Sequence, residues 1–193
     1  MSTLKVDTIL KRTGTGTITL GQSGDTISIP SGTTLAVTGT ATGVGGNNTP
    51  RFLAYKASGY QGYGTSTTVK IIFDTEEHDS DSAYDTSNYR FTVPSGEAGV
   101  YVFGWRVGVQ DVGATQKATI NGYKNGTGGT LLSSVPVKNY SASTSNISGV
   151  GTFVATLAVS DYVEIYVTTP STSGSGLAGL ANQYFYGYKL IWV

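Results

Sequence analysis

Residues 84–105 read Tyr-Asp-Thr-Ser-Asn-Tyr-Arg-Phe-Thr-Val-Pro-Ser-Gly-Glu-Ala-Gly-Val-Tyr-Val-Phe-Gly-Trp, and they decide the fold. Tyr89, Phe91 and Val93 alternate with polar residues, as do Tyr101, Phe103 and Trp105 after the turn-prone segment Pro94 to Gly99. Successive strand side chains point to opposite faces, so each run presents one apolar face. Two such runs joined by a turn predict a hairpin that packs aromatic side chains into a core.

Composition agrees with an all-β chain. Only 12% of the 193 residues are charged, against about 25% in an average domain. The 27 glycines, with many Ser and Thr residues, favour short strands and turns. Twelve basic residues balance twelve acidic ones, so there is no global field to hold nucleic acid or an anionic membrane. No segment is long and apolar enough to cross a bilayer as a helix. The first residues contain no continuous apolar run of the signal-peptide kind, which predicts a protein not exported by the general secretory route. Without cysteines there are no disulfides or thiolate sites, and assembly becomes the expected source of robustness.

The aromatic pattern resembles the globular domain of complement component one-q and its tumour-necrosis-factor relatives. Phe91, Gly99, Tyr101, Phe103 and Trp105 match the family's Gly-x-Tyr-x-Phe-x-aromatic signature and the aromatic before it. Val159 to Val167 resembles the family's Gly-Asp-x-Val strand, with Ser160 where Gly is usual. Tyr184 to Ile191 resembles its closing Phe-x-Gly-aromatic strand, and Lys124-Asn125-Gly126 one of its hairpin turns. Asn-Gly favours tight turns on physical grounds too, since both residues tolerate positive φ. The resemblance implies a jelly-roll β-sandwich head and a homotrimer. In it, aromatics near the three-fold axis pack protomers together. Tyr55, Tyr184, Tyr186 and Tyr188 suit that role, while Phe91, Tyr101, Phe103 and Trp105 suit the core.

From residue 50 onward the strands are expected at 51–57, 67–73, 89–93, 99–109, 114–124, 131–137, 148–157, 161–167 and 184–192. Residues 47–193 form the head. Residues 1–46 read as a separate arm of short β-strand units with Gly, Ser or Pro turns. Its apolar positions are Leu4, Val6, Ile18, Leu20, Ile27, Ile29, Leu35 and Val37. One or two apolar residues per strand bury too little surface for such a segment to fold alone. The arm is therefore expected to order against other copies or a larger assembly, the competing reading being a disordered linker. The opening Ser-Thr-Leu-Lys-Val-Asp-Thr-Ile resembles that of virion structural proteins from bacteriophages of aquatic bacteria, in which a β-rich arm precedes a complement-type head.

Catalysis finds little support. His78 is the only histidine and reads as a surface residue, and no pair of carboxylates is singled out by spacing. Glycine-rich segments fail to open helices after strands, so they are turns and not phosphate loops. No cofactor is expected. The acidic stretch 74–85 reads as a solvated loop, with Asp79, Asp81 and Asp85 as weak Ca²⁺ candidates because that ion accepts oxygens in loose geometry. Tyr60 and Tyr63, in a Gly-rich loop, are candidates for an exposed patch that packs on a neighbour or stacks on a host glycan.

The expectation is a non-enzymatic virion surface homotrimer attached through its arm to the major capsid protein or a tail protein. Capsid decoration, or cement, leads. A short tail fibre or spike that touches host glycan is the alternative, and a free lectin-like module comes third.

Overall fold

The computed structural model describes residue 9 and residues 16–36, 48–57, 59–169, 176–177 and 183–190. The chain divides into two units, Met1–Val44 and Gly45–Val193.

The second unit is a sandwich of two antiparallel sheets, and no helix occurs among the described residues. Its strands are β1 (Arg51–Tyr55), β2 (Gln61–Gly62), β3 (Thr68–Lys70), β4 (Thr75–Asp79), β5 (Tyr84–Asp85), β6 (Arg90–Thr92) and β7 (Gly99–Val112). They continue with β8 (Lys117–Lys124), β9 (Thr130–Lys138), β10 (Ser145–Leu157), β11 (Tyr162–Thr168), β12 (Gly176–Leu177) and β13 (Tyr184–Lys189). The first sheet runs β4, β1, β13, β7, β10, with β12 and β2 continuing beyond β13 along the same edge of β7. The second runs β5, β6, β11, β8, β9, with β3 sharing an edge of β11 with β6.

The core lies between the sheets. Phe103 on β7 is in ring contact with Phe52, Phe91, Tyr101, Phe153 and Phe185, at centroid distances of 5.4 to 6.4 Å. Phe91 also stacks on Phe52 from the opposite sheet, at 5.1 Å. Phe91, Tyr101, Phe103 and Trp105 are all buried. Gly187 explains the glycine of the closing strand: a Cβ there would stand 2.5 Å from the Phe103 ring, so only glycine lets that ring lie flat on β13.

Four expectations are corrected. The two aromatic runs are not a hairpin, because β6 and β7 belong to different sheets and face one another across the core. Alternation identifies the buried face of each strand but not its hydrogen-bonding partner. Tyr89 is not a core residue of β6. It sits half-buried at φ 52° just before the strand, and Tyr84 takes the inward place, stacked on Phe52 at 5.0 Å with its hydroxyl donating to the Phe73 carbonyl. The acidic stretch contains a strand, β4, hydrogen-bonded to β1 through a bulge between Leu53 and Ala54. Charges on an exposed edge strand discourage further pairing, so this strand carries no apolar alternation. Finally, the strand expected from 114 begins at Lys117, and the short strands β2 and β12 went unread.

The Asn125-Gly126 turn does join a hairpin, β8 to β9, through a loop of residues 125–129 with φ of 61° and 78° at its first two positions.

In the first unit, residues 16–36 form no ladder within the single chain. Hydrogen-bonded turns close at Gln22–Asp25 and Pro30–Thr33. Ile18, Leu20, Ile27, Ile29 and Leu35 are exposed, between 45% and 60%. Leu4, Val6 and Val37 lie outside the described residues.

Candidate interaction face

The outward side of the first sheet is the candidate site. On β13, Phe185 and Gly187 point inward, so Tyr184, Tyr186 and Tyr188 share the outer face. On β1 the same alternation places Arg51, Leu53 and Tyr55 outside. Strand register then assembles rows. Thr152, Gly104, Tyr186, Leu53 and His78 form one row across β10, β7, β13, β1 and β4. Val150, Arg106, Tyr184, Tyr55 and Thr75 form the next.

Tyr186 lies across its neighbour Gly104, where a Cβ would come within 2.4 Å of the ring. The ring thus covers backbone that would otherwise face water, and it reaches Tyr184 at a centroid distance of 6.1 Å. At the far edge the Arg51 Nε–H donates to His78 Nε2 at 2.7 Å, which ties β1 to β4 and leaves His78 exposed. A hollow of about 440 Å³ opens between these groups, lined by Arg51, Leu53, His78, Tyr184, Tyr186 and Tyr188. Across the sheet, Val150 and Val154 on β10 are 67% and 59% exposed, and Ser145–Leu157 carries no charged residue. A long, uncharged outer strand beside a tyrosine-rich face has the character of a surface that another protein covers.

The other expected site residues fall elsewhere. Tyr63 is not in an exposed patch. It packs against the core cluster, its hydroxyl donates to the Gln110 carbonyl at 3.4 Å, and burial pushes its pKa up to about 12. Tyr60 is 54% exposed, with its ring over Gly176 of β12. The carboxylates of the acidic stretch serve separate turns. Asp79 accepts from the Asp81, Ala83 and Tyr84 amides, and Asp81 from the Ser80 hydroxyl. Asp85 accepts from Ser87 and Asn88, chiefly the Asn88 side chain, which holds its pKa below the usual carboxylate value. Among the described residues no three acidic, histidine or cysteine side chains converge as a metal cluster would.

The sequence reading named the three tyrosines of β13 as packing residues and passed over Leu53, Arg51 and the β10 valines. Leu53 and Arg51 were legible as the residues alternating with Phe52 and Ala54. The valines required the β7–β10 register.

No protein-family model matches the chain. No curated protein matches it either. Among solved structures, murine APRIL in its pH 5.0 crystal form is similar over 72% of this chain and 98% of its own, at 12% identity and a TM-score of 0.51. The globular domain of the zebrafish complement 1qA protein is similar over 74% of this chain and 98% of its own, at 16% identity and a TM-score of 0.47. With its two antiparallel sheets, the second unit shares the jelly-roll sandwich fold of murine APRIL.

Proposed function

We infer that this chain is a non-enzymatic structural protein of a bacteriophage virion surface, a homotrimer held to the particle through residues 1–46, and that it acts in capsid decoration. The observation that carries the reading is a pair of uncovered surfaces. The tyrosine face of the first sheet and the row of exposed Ile and Leu side chains in residues 18–35 both present apolar groups that the single chain leaves in water. Exposed apolar groups gathered in one place favour burial against protein. Tyrosine is enriched in such contacts because its ring buries area while its hydroxyl keeps a polar partner. The occupant of the tyrosine face is two further copies of this chain. The arm docks on the particle, where its backbone adds to a neighbouring sheet edge. The resemblance of the arm-plus-head sequence to phage virion proteins supports the location.

The second reading is a short tail fibre or spike, which the half-exposed Tyr60 favours as a contact for host glycan. Quantitative mass spectrometry of purified particles separates the two. A copy number near that of the major capsid protein supports decoration, a few tens or fewer supports a tail appendage, and absence from particles overturns both. Removal of residues 1–46 should leave a folded head that no longer joins particles, and continued incorporation would refute arm docking.

A further inference from the structure

The outward face of the second sheet carries an open groove of about 840 Å³. Lys117 and Lys138 line it from directly opposite positions of the β8–β9 ladder. Like charges facing one another across a strand pair destabilise it. Here neither lysine is in a salt bridge among the described residues, and no carboxylate lines the groove.

At the rim stands Tyr140, 87% exposed, with the Lys138 ammonium 5.4 Å from its ring centroid. Its position is built. The preceding Asn139 is 2% exposed and its amide nitrogen donates to the carbonyls of Val112, Gly113 and Ser143 at 2.8, 3.1 and 2.9 Å. The Asn139 side-chain oxygen accepts from the Ser141 amide at 2.9 Å, and its backbone N–H donates to the Gln116 carbonyl at 2.8 Å. A buried asparagine thus fixes the loop and holds an aromatic ring out in water, where it contributes nothing to the core.

Two more groove residues, Ser66 and Thr115, have left-handed backbone, with φ of 52° and 62°. That conformation is costly for any residue with a Cβ and worst for a β-branched one such as threonine. Strain of this kind gathers at ligand clamps, where the surrounding structure holds a side chain in place for contact. Ser66, Thr115 and Thr119 bring hydroxyls to the same groove.

We propose that this groove binds an acidic saccharide, a pyranose bearing a carboxylate. The Tyr140 ring takes the C–H face of the sugar, the two lysines take the carboxylate, and the hydroxyls of Ser66, Thr115 and Thr119 exchange hydrogen bonds with those of the sugar. An apolar ligand would leave the hydroxyl, amide and ammonium groups of the lining side chains without partners. A chain with twelve charges of each sign lacks the field that holds nucleic acid, whereas a local pair of lysines suits one carboxylate. The groove and the tyrosine face belong to different sheets, so the proposal stands independently of the virion reading.

The test is calorimetric titration and saturation-transfer NMR of the full chain with 3′-sialyllactose and oligogalacturonate, against lactose and dextran as neutral controls. Binding of the carboxylated sugars only is expected. Tyr140→Ala should weaken it about tenfold, as loss of a ring stack does. Lys117→Gln/Lys138→Gln should weaken it further and remove its salt dependence. These side chains are exposed and the opposed lysines repel, so thermal unfolding should come no earlier than the parent's and separate lost binding from lost fold. Equal binding of lactose or dextran would overturn the proposal. So would binding unchanged in both variants, preference for single-stranded oligonucleotide or inorganic phosphate over the sugars, or no binding of either acidic probe.

Discussion

The two outward faces of the sandwich share one core and differ in almost everything else. The first sheet turns outward Tyr184, Tyr186, Tyr188, Leu53 and the β10 valines, around the Arg51–His78 contact. The second turns outward the Lys70–Glu164 pair, the Asp161 turn and the lysine groove. On the first, apolar groups such as Val150 and Val154 stand in water. On the second, charges are either paired or kept beside open solvent. The difference separates a tyrosine-rich, partly apolar surface from a charged one.

The largest effect should erase both faces at once. Phe103→Ala removes the ring that five others touch, so loss of about 3–5 kcal/mol of stability is expected, the range for buried aromatic truncation. Chemical denaturation measures it, and a variant as stable as the parent would refute the shared core.

Next, Tyr186→Asp should separate the faces. The ring lies over Gly104 and beside Tyr184 on the outer face, away from the core between the sheets, so the fold should survive. A buried charge at a protein contact is costly, and hot-spot tyrosines contribute about 2 kcal/mol or more to association. On the proposed trimer, native mass spectrometry should therefore show this variant as single chains at concentrations where the parent assembles. A trimer unaffected by this change would move the contact to another surface.

On the wet face the corresponding change is Lys70→Ala. Glu164 is 2% exposed, accepts from Lys70 at 2.5 Å and from the Tyr166 hydroxyl at 2.8 Å, and would be left charged beneath Tyr166. Breaking a buried pair costs about 3–5 kcal/mol, and the 31% exposure of Lys70 lowers the expectation to about 2 kcal/mol. The double change Lys70→Ala/Glu164→Gln should recover most of it, with assembly unchanged throughout. Loss of assembly in the single variant would mean that the two faces are coupled.

How much of this was readable follows from which interactions are local. Phe91, Tyr101 and Phe103 announce themselves because alternation along one strand fixes their face. Which sheet each strand joins depends on pairing between distant residues, and so β6 and β7 were misread as neighbours. The strand β4 has no apolar period at all, since it is held at the sheet edge by its backbone ladder and the Arg51–His78 contact and not by an apolar face. Lys117 and Lys138 are unremarkable in sequence and meet only through the register set by the loop at residues 125–129 and by the bulge between Gly122 and Tyr123. Tyr140 carried the same signal as Tyr60, an aromatic in a Ser- or Gly-rich segment, and was passed over.

The smallest effect distinguishes the faces by pH. The Asp161 carboxylate accepts from the Asn125 side chain at 2.8 Å and from the Ala158 amide at 2.9 Å, clamping the β8–β9 turn to the β10–β11 turn. The Asn125 bond is the chief reason its pKa lies below 3.8. A lowered folded pKa means stability that is complete above the unfolded value and lost as pH falls through the folded one. Glu76 on β4 is shifted the other way, raised by burial and then by Asp79 and Asp85, so protonation there relieves a strain. Acid should therefore loosen these two turns while β4 stays paired. Hydrogen exchange read as pH falls from about 5 to about 2.5, corrected for intrinsic rates, should show the Ala158 and Tyr162 amides losing protection before that of Ser80, which donates to Arg51 across the β4 edge. Asp161→Asn should abolish the pH dependence of the turns and leave that of β4 intact. If both regions open together at one pH, the faces share a single acid transition and the contrast between them does not extend to electrostatics.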